Sequence, residues 1–141
     1  MDERKRLLVV DDDIIHRTVY ASIAQKLHYH VDLAQSPSEA FEALRAKPYK
    51  IVILDLKLGE KSGADVLVLM SSLLRKPRVL LVTGASDDVI EETFTVGRQL
   101  GLEMFGPVRK PVNVALIRAA LRGMEIGAPS EATGQSQPSA S

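Results

Sequence analysis

The sequence predicts an α/β protein with a doubly wound parallel sheet, and three observations support that prediction. Short runs of Val, Ile and Leu recur along the chain, separated by stretches of helical length. Three of these runs, at 7–10, 51–54 and 79–82, are continuously apolar, which is typical of parallel strands covered on both faces. The strand–helix order repeats five times, and right-handed crossovers then place helices on both faces of one sheet.

Each predicted element has its own sequence signal. The predicted strands are LLVV (7–10), VDLA (31–34), IVILDL (51–56), VLLVTG (79–84) and MFGPV (104–108). The predicted helices span 13–27, 38–44, 64–74, 87–100 and 112–124. Ser36 and Ser86 precede helices as N-caps, Pro37 lies in a first turn, and Gly101 closes a helix. Pro107 inside the fifth strand indicates an edge strand, because proline has no backbone N–H to donate.

Composition and charge narrow the functional classes. The 141 residues suit one domain, predicted over 1–125, and 126–141 is expected to be a disordered tail or linker because it is almost free of large apolar side chains. Lys plus Arg and Asp plus Glu number 18 each, so no global field attracts nucleic acid. The chain has no cysteine for disulfide or thiolate chemistry. It has neither a signal peptide nor an apolar run near the roughly 20 residues that span a bilayer, so we expect a cytoplasmic protein without membrane contact.

Polar side chains follow four of the five predicted strands, at the edge where ligands bind to open α/β sheets. These residues are Asp11, Asp12 and Asp13 after the first strand, Asp55 after the third, Thr83 after the fourth and Lys110 after the fifth. Carboxylates from separate strands suit Mg²⁺, which would relieve the repulsion among Asp11, Asp12 and Asp55. Asp55 then keeps a free oxygen as a nucleophile, while Thr83 and Lys110 contact the oxygens of an incoming phosphoryl group. The set predicts Mg²⁺-dependent phosphoryl transfer to Asp55.

These residues make the chain resemble the receiver domain of two-component response regulators, over about residues 5–124. The resemblance rests on Asp11-Asp12, on Asp55 in ILDLKLGEKSG, on Thr83 in VTGAS and on Lys110-Pro111. Tyr29 and Gly63 are further points of similarity. The resemblance implies a flavodoxin-like (βα)5 three-layer sandwich with the strand order 2-1-3-4-5.

The resemblance also implies a role for each site residue. Asp55 would be the phosphoacceptor, Asp12 a direct Mg²⁺ ligand, and Asp11 a ligand acting largely through a bound water. The backbone carbonyl of Lys57 would complete the protein's share of the metal shell, and Thr83 and Lys110 would hold the phosphoryl oxygens.

The implied partner is a phosphohistidine on a sensor histidine kinase or a phosphotransfer protein. The chain would then act as a switch, with no enzymatic activity beyond self-phosphorylation and autodephosphorylation. The face of the fourth helix, fifth strand and fifth helix would rearrange, and a homodimer through that face is a further expectation.

Two positions depart from the family pattern. Gly59 stands where many members have proline, so a looser loop is expected, and Pro107 replaces the Tyr or Phe that usually moves with the threonine. Phe105 is a possible substitute, but it lies one side-chain step away, roughly 7 Å at about 3.3 Å per residue. These departures leave open a degenerate receiver that only binds other proteins.

Two other classes fit the residues less well. A haloacid dehalogenase-type phosphatase would use Asp11-x-Asp13, but that family has an acidic motif after its lysine, and beyond Lys110 only Glu125 and Glu131 are acidic. A flavodoxin-like cofactor binder would need a Ser/Thr/Gly-rich phosphate loop after the first strand, which the sequence does not have.

The remaining polar residues near the first helix are predicted to be structural. Asp13 is expected to be the N-cap of that helix. His16, His28 and His30 share no metal-ligand spacing and are expected at the surface or at helix ends.

Overall fold

The computed structural model describes residues 5–58 and 61–126, except for the side chains of residues 58, 61, 62 and 126. In this part of the chain, the main sheet contains β1 (Arg6–Val10), β2 (His30–Ala34), β3 (Ile51–Leu54), β4 (Arg78–Thr83) and β5 (Met104–Arg109). The helices are α1 (Ile14–Lys26), α2 (Pro37–Ala46), α3 (Ala64–Ser71), α4 (Asp87–Gln99) and α5 (Val114–Ile126). All pairings in this sheet are parallel, in the order β2-β1-β3-β4-β5. The predicted fold class and strand order are confirmed, with β5 and Pro107 at an edge.

Two apolar cores lie on opposite faces of the sheet. One packs against α2, α3 and α4, and the other packs against α1 and α5. Leu7 and Val9 of β1 belong to the α1/α5 core, whereas Leu8 and Val10 belong to the other. All side chains of β3 are fully buried. This two-sided burial explains the continuous apolar runs, because each such side chain gains roughly 1.5–3 kcal/mol wherever it points.

The predicted helix caps are confirmed by their hydrogen bonds. The Asp13 carboxylate accepts from the backbone N–H groups of Ile15 and His16 at the start of α1. The hydroxyls of Ser36 and Ser86 do the same for α2 and α4. Gly101 follows α4 with φ +85°, a left-handed conformation that favours glycine.

Two predicted helix boundaries were wrong. The helix predicted over 64–74 ends at Ser71, because the hydroxyls of Ser71 and Ser72 bond back to the carbonyls of the last turn, and the chain then leaves the core with Leu74 99% exposed. The helix predicted from 112 begins at Val114, because Asn113 accepts the N–H of Leu116 as an N-cap does.

The segment after β3 forms a hairpin that the sequence did not predict. β3 ends at Leu54, and Lys57–Leu58 then pairs antiparallel with Lys61–Ser62. The N–H of Gly63 closes the hairpin on the carbonyl of Leu56 at 2.7 Å. A Cβ at Gly63 would lie 2.6 Å from the carbonyl oxygen of Asp55, so only glycine allows this close approach. The looser loop predicted at Gly59 and the tail predicted after α5 lie outside the described residues.

None of the helices in the described ranges combines the length and apolar character needed to cross a membrane.

Candidate functional site

The carboxyl ends of four strands converge on one open depression of about 540 Å³. Its lining includes Asp12 after β1, Asp55 after β3, Thr83 of β4 and Lys110 after β5. Asp11 is fully buried and contacts Lys110 from below this lining. The parallel sheet therefore brings together Asp11, Asp12, Asp55, Thr83 and Lys110, which the sequence predicted would form one site.

Three carboxylates form a compact acidic cluster at the floor of this depression and directly beneath it. Asp11, Asp12 and Asp55 each place an oxygen within 4.8 Å of the others. Asp11 and Asp55 are buried, whereas Asp12 is exposed. Hard oxygen donors of this kind suit Mg²⁺ or Ca²⁺, and a divalent cation would offset the repulsion between the buried charges. The residues present therefore fit a divalent metal ion.

Lys110 is the cation that pairs with the two buried carboxylates. Its ammonium donates to Asp55 Oδ2 at 2.9 Å and to Asp11 Oδ2 at 3.2 Å. Its backbone N–H donates to the carbonyl of Thr83 at 3.1 Å, which fixes the start of the side chain. Burial alone would lower the pKa of the lysine, but the two carboxylates outweigh it and the pKa lies above its ordinary value. Lys110 therefore stays charged.

Asp55 is held at both carboxylate oxygens. Oδ1 accepts the N–H of Lys57 at 3.2 Å, and Oδ2 accepts the bond from Lys110. Burial raises the pKa of Asp55 above its usual value, with a smaller contribution from Asp11, although Lys110 and the N–H of Lys57 act in the opposite direction. The side chain is 5% exposed, so it is a desolvated and oriented carboxylate at the floor of an open depression.

Thr83 and Gly84 form the β4 side of the site. The Thr83 side chain is fully buried, and its Oγ1 accepts the N–H of Ala85 at 3.1 Å. Gly84 also lines the depression, and a Cβ there would meet only Lys110 Cβ, at 3.8 Å. Thr83 therefore lines the depression from β4, with β3 between it and β1, the strand that Asp11 and Asp12 follow.

The three adjacent aspartates separate into two kinds of residue. Asp11 Oδ1 accepts the N–H of Asp13 at 2.9 Å, which turns the chain into the helix. The bonds from the N–H groups of His16 and Ile15 lower the pKa of Asp13 below its ordinary value. Asp13 is thus a helix cap, while Asp11 and Asp12 belong to the acidic cluster.

Sequence reasoning missed two residues of α1 that contact Asp11. His16, predicted as a surface or helix-end residue, lines the depression with Nδ1 3.6 Å from Asp11 Oδ2. Arg17 donates from Nη1 to the backbone carbonyl of Asp11 at 2.8 Å. Their position in the first turn after the Asp13 cap was the available signal, because the first turn of a helix that follows a strand adjoins the carboxyl edge of the sheet.

A bulge in β5 determines where the aromatic side chain of that strand lies. Leu80 pairs with Phe105, but Val82 pairs with Val108, so β5 contains one extra residue at Gly106-Pro107. Gly106 has φ +95°, which favours glycine. Phe105 is buried in the α1/α5 core and pairs three residues before Thr83, which argues against it as a substitute for the missing aromatic residue.

The fold and the site together define a class of protein. This is a doubly wound α/β domain whose carboxyl edge carries an acidic cluster, a lysine and a threonine, arranged to receive an anionic group beside a buried carboxylate. The sequence model of the response regulator receiver domain matches residues 7–122, and the chain belongs to that family.

Individual proteins show the same relationship. Transcriptional regulatory protein ZraR of Klebsiella oxytoca is 32% identical over 84 residues, which are 60% of this chain and 19% of that protein. The chain thus spans about a fifth of the length of this curated relative.

Two solved structures share the fold. A response regulator receiver domain protein (CheY-like) from Methanospirillum hungatei JF-1 superposes with a TM-score of 0.73 at 22% identity, covering 85% of this chain and 92% of that chain. A response regulator protein from Burkholderia pseudomallei, with a phosphorylated aspartic acid, calcium ion and citrate, gives a TM-score of 0.68 at 26% identity, covering 86% and 73%.

Proposed function

We propose that this chain is a phosphorylation switch of two-component signalling, with Asp55 as the acceptor. The observation that carries this proposal is the environment of Asp55. It is a buried carboxylate paired with Lys110 and grouped with Asp11 and Asp12 on the floor of an open depression. The similar Burkholderia pseudomallei protein contains a phosphorylated aspartic acid, which supports the same chemistry here.

The proposed donor is a phosphohistidine of a sensor histidine kinase or a phosphotransfer protein. An oxygen of Asp55 attacks the phosphorus, the bond between phosphorus and the imidazole nitrogen breaks, and the imidazole leaves with the bonding electrons. The N–H of Lys57 orients the Asp55 carboxylate. In the product, Lys110 and the Thr83 hydroxyl bind the phosphoryl oxygens.

Asp11, Asp12 and Asp55, with the backbone carbonyl of Lys57, are the proposed ligands of Mg²⁺. When bound, the ion neutralises the carboxylates and the phosphoryl oxygens and so favours their approach. Asp12 and Asp55 would bind it directly, while Asp11 would act largely through water. Removing the divalent ion with EDTA should abolish labelling of Asp55, and adding Mg²⁺ should restore it.

The acceptor is tested with acetyl phosphate and with beryllofluoride, each in the presence of Mg²⁺. With acetyl phosphate, wild type should gain one phosphoryl group that hydroxylamine removes, measured by intact-protein mass spectrometry, and D55N should gain none. Beryllofluoride has no phosphoryl group to transfer, so its binding to wild type and its failure to bind D55N are measured by ¹⁹F NMR. D13N is the matched control, because it removes a neighbouring charge while asparagine still caps α1. Labelling of D55N would show that the acceptor is misassigned.

The same experiment separates the two alternatives. A degenerate receiver would leave the wild type unlabelled although it folds and binds divalent ions. A phosphatase with Asp11 as its nucleophile would turn over p-nitrophenyl phosphate, and D11N would abolish that turnover while D55N would not.

Phosphorylation should act on the face formed by α4, β5 and α5, where we also propose a homodimer. Pro107, Leu116 and Ala119 line an apolar cleft of about 580 Å³ between β5 and α5. Leu116 is 53% exposed, which supports a contact surface there. Light scattering should show a larger dimer fraction with beryllofluoride, and L116E should prevent that increase.

The switch would use Thr83 without the usual aromatic partner, by shifting an existing two-state equilibrium.

A further inference from the structure

His16 directs a buried nitrogen toward the site without a conventional hydrogen bond. Its Nδ1 is inaccessible to solvent and has no hydrogen-bond partner among the described residues, although the side chain as a whole is 26% exposed. The nearest anionic atoms are Asp11 Oδ2 at 3.6 Å and Asp13 Oδ2 at 4.0 Å. A buried polar atom without a hydrogen bond is unfavourable, so a partner that becomes available would be favoured.

The ring is fixed in this orientation by its neighbours. It stacks on Tyr20, with the ring centroids 6.1 Å apart and an angle of 19° between the planes. Tyr20 is fully buried in the α1/α5 core and provides a rigid platform. Bringing Nδ1 from 3.6 Å to a hydrogen-bond distance of about 2.9 Å from Asp11 Oδ2 requires a shift of about 0.7 Å.

In the structure, Lys110 already donates to the Asp11 oxygen that lies nearest to His16 Nδ1. The Lys110 ammonium donates to Asp11 Oδ2 at 3.2 Å and also to Asp55. Under the proposed function, Lys110 turns to the phosphoryl oxygens on Asp55. Asp11 Oδ2 then loses its hydrogen bond from Lys110 while it remains fully buried. A divalent ion bound by the acidic cluster would offset the charge but has no hydrogen to donate, so another donor to this oxygen is favoured.

We propose that His16 is a positioning residue whose Nδ1–H replaces Lys110 as the donor to Asp11 Oδ2 once Asp55 carries a phosphoryl group. This inference rests on the proposed function and deepens it. The exchange keeps the Asp11 carboxylate in place within the acidic cluster. The site would therefore keep a divalent ion bound after Lys110 has moved from Asp11 to the phosphoryl oxygens.

The proposal predicts that the effect of His16 depends on Lys110, and a double-mutant cycle tests this dependence. Mg²⁺ affinity is measured by titration calorimetry at one fixed pH, without a phosphodonor, on wild type, H16L, K110M and H16L/K110M. The K110M background reproduces the loss of the lysine contact. H16L should change the dissociation constant less than twofold when Lys110 is present, and should weaken binding about tenfold in the K110M background, as other partners of metal ligands do.

H16N is the conservative variant, because its amide nitrogen lies near the position of the histidine Nδ1. In the K110M background, H16N should bind Mg²⁺ within threefold of K110M alone. An equal loss for H16L in both backgrounds would mean that the ring only supports the fold, and it would overturn the proposal. No loss in either background would overturn it as well.

A second measurement does not require K110M to fold. In protein labelled with ¹⁵N-histidine, Mg²⁺ and beryllofluoride should produce a slowly exchanging imidazole N–H signal that is absent from H16N and lost in D11N. If beryllofluoride binds but no such signal forms, the proposed exchange of partners does not occur. Failure of the proposed function is recognised separately, since Asp55 would then remain unlabelled by acetyl phosphate while Mg²⁺ still binds.

Discussion

Replacing Lys110 by methionine should destabilise the fold through the carboxylates that the lysine leaves behind. Lys110 is 19% exposed and contacts two buried oxygens, at 2.9 Å on Asp55 and 3.2 Å on Asp11. K110M keeps most of the apolar stem and removes the charge. Without a divalent ion, two desolvated carboxylates then lie within 4.8 Å of each other with no cation in contact.

The loss of folding free energy in K110M depends on how Asp11 and Asp55 can reduce the repulsion between their buried charges. Breaking a buried ion pair costs about 3–5 kcal/mol. The pair can instead take up one proton, which at pH 7 costs about 4 kcal/mol for a carboxyl group with an ordinary pKa near 3.9. The expected loss is therefore about 3–4 kcal/mol at pH 7. At pH 5 the same limit falls to about 1.5 kcal/mol, because protonation becomes easier.

Urea unfolding followed by circular dichroism in EDTA, at pH 7 and at pH 5, measures both values. K57M is the matched control, because Lys57 adjoins the same depression but is exposed, and its loss should stay within about 0.5 kcal/mol. Added Mg²⁺ should restore part of the stability of K110M. A loss below about 1 kcal/mol at pH 7, or an equal loss at both pH values, would refute the reasoning.

Three further predictions concern the loop, the caps and the acceptor. Because burial raises the folded-state pKa of Asp55 above its unfolded value, the ionised carboxylate opposes folding, fully so above the folded pKa. D55N should therefore raise the free energy of unfolding at pH 7 in EDTA, and the gain should shrink as the pH falls below the folded pKa and vanish near the unfolded pKa. G63A should cost roughly 1–3 kcal/mol, because the new Cβ meets the Asp55 carbonyl, whereas G123A in open space on α5 should gain roughly 0.5–1 kcal/mol; equal effects in urea unfolding would count against the close approach. S36A should cost about 1 kcal/mol through loss of the α2 cap, with S38A at an exposed position of the same helix as the control; an unchanged midpoint for S36A would contradict the cap.

The apolar pattern was most informative for the central strands, because a short continuous apolar run fits a strand that is covered on both faces. The runs at 7–10, 51–54 and 79–82 are buried on both faces, so their pattern predicted parallel central strands, and the structure confirmed them. The pattern was less reliable at the end of α3, where Leu73 and Leu74 continue an apolar run beyond the helix. There, the hydroxyls of Ser71 and Ser72 compete for the helix carbonyls, and a periodicity argument does not weigh that competition.

The functional site was likewise predictable from the sequence only in part. Strand ends meet at one edge of a parallel sheet, so Asp11, Asp12, Asp55, Thr83 and Lys110 were predictable as a group. His16 was not, because its contact with Asp11 depends on how the first turn of α1 is set against the sheet. The relation of Phe105 to Thr83 was not predictable either, because the bulge at Gly106-Pro107 changes the register without any break in the strand pattern.

The sequence by itself determined the fold class and which polar residues share the carboxyl edge of the sheet, because the apolar runs and the alternation of strands and helices are written in the chain. The order of the strands in the sheet followed from the family resemblance. Only the tertiary structure decided that Asp11 and Asp55 share one lysine, that Gly63 must lack a side chain, and that His16 lies beside Asp11. Lys110 is far in the chain from both carboxylates, so their contact arises only once the strands are assembled. The other two relations are closer in sequence, but they depend on distances of a few ångströms that are fixed only when the hairpin and the first turn of α1 are set against the sheet.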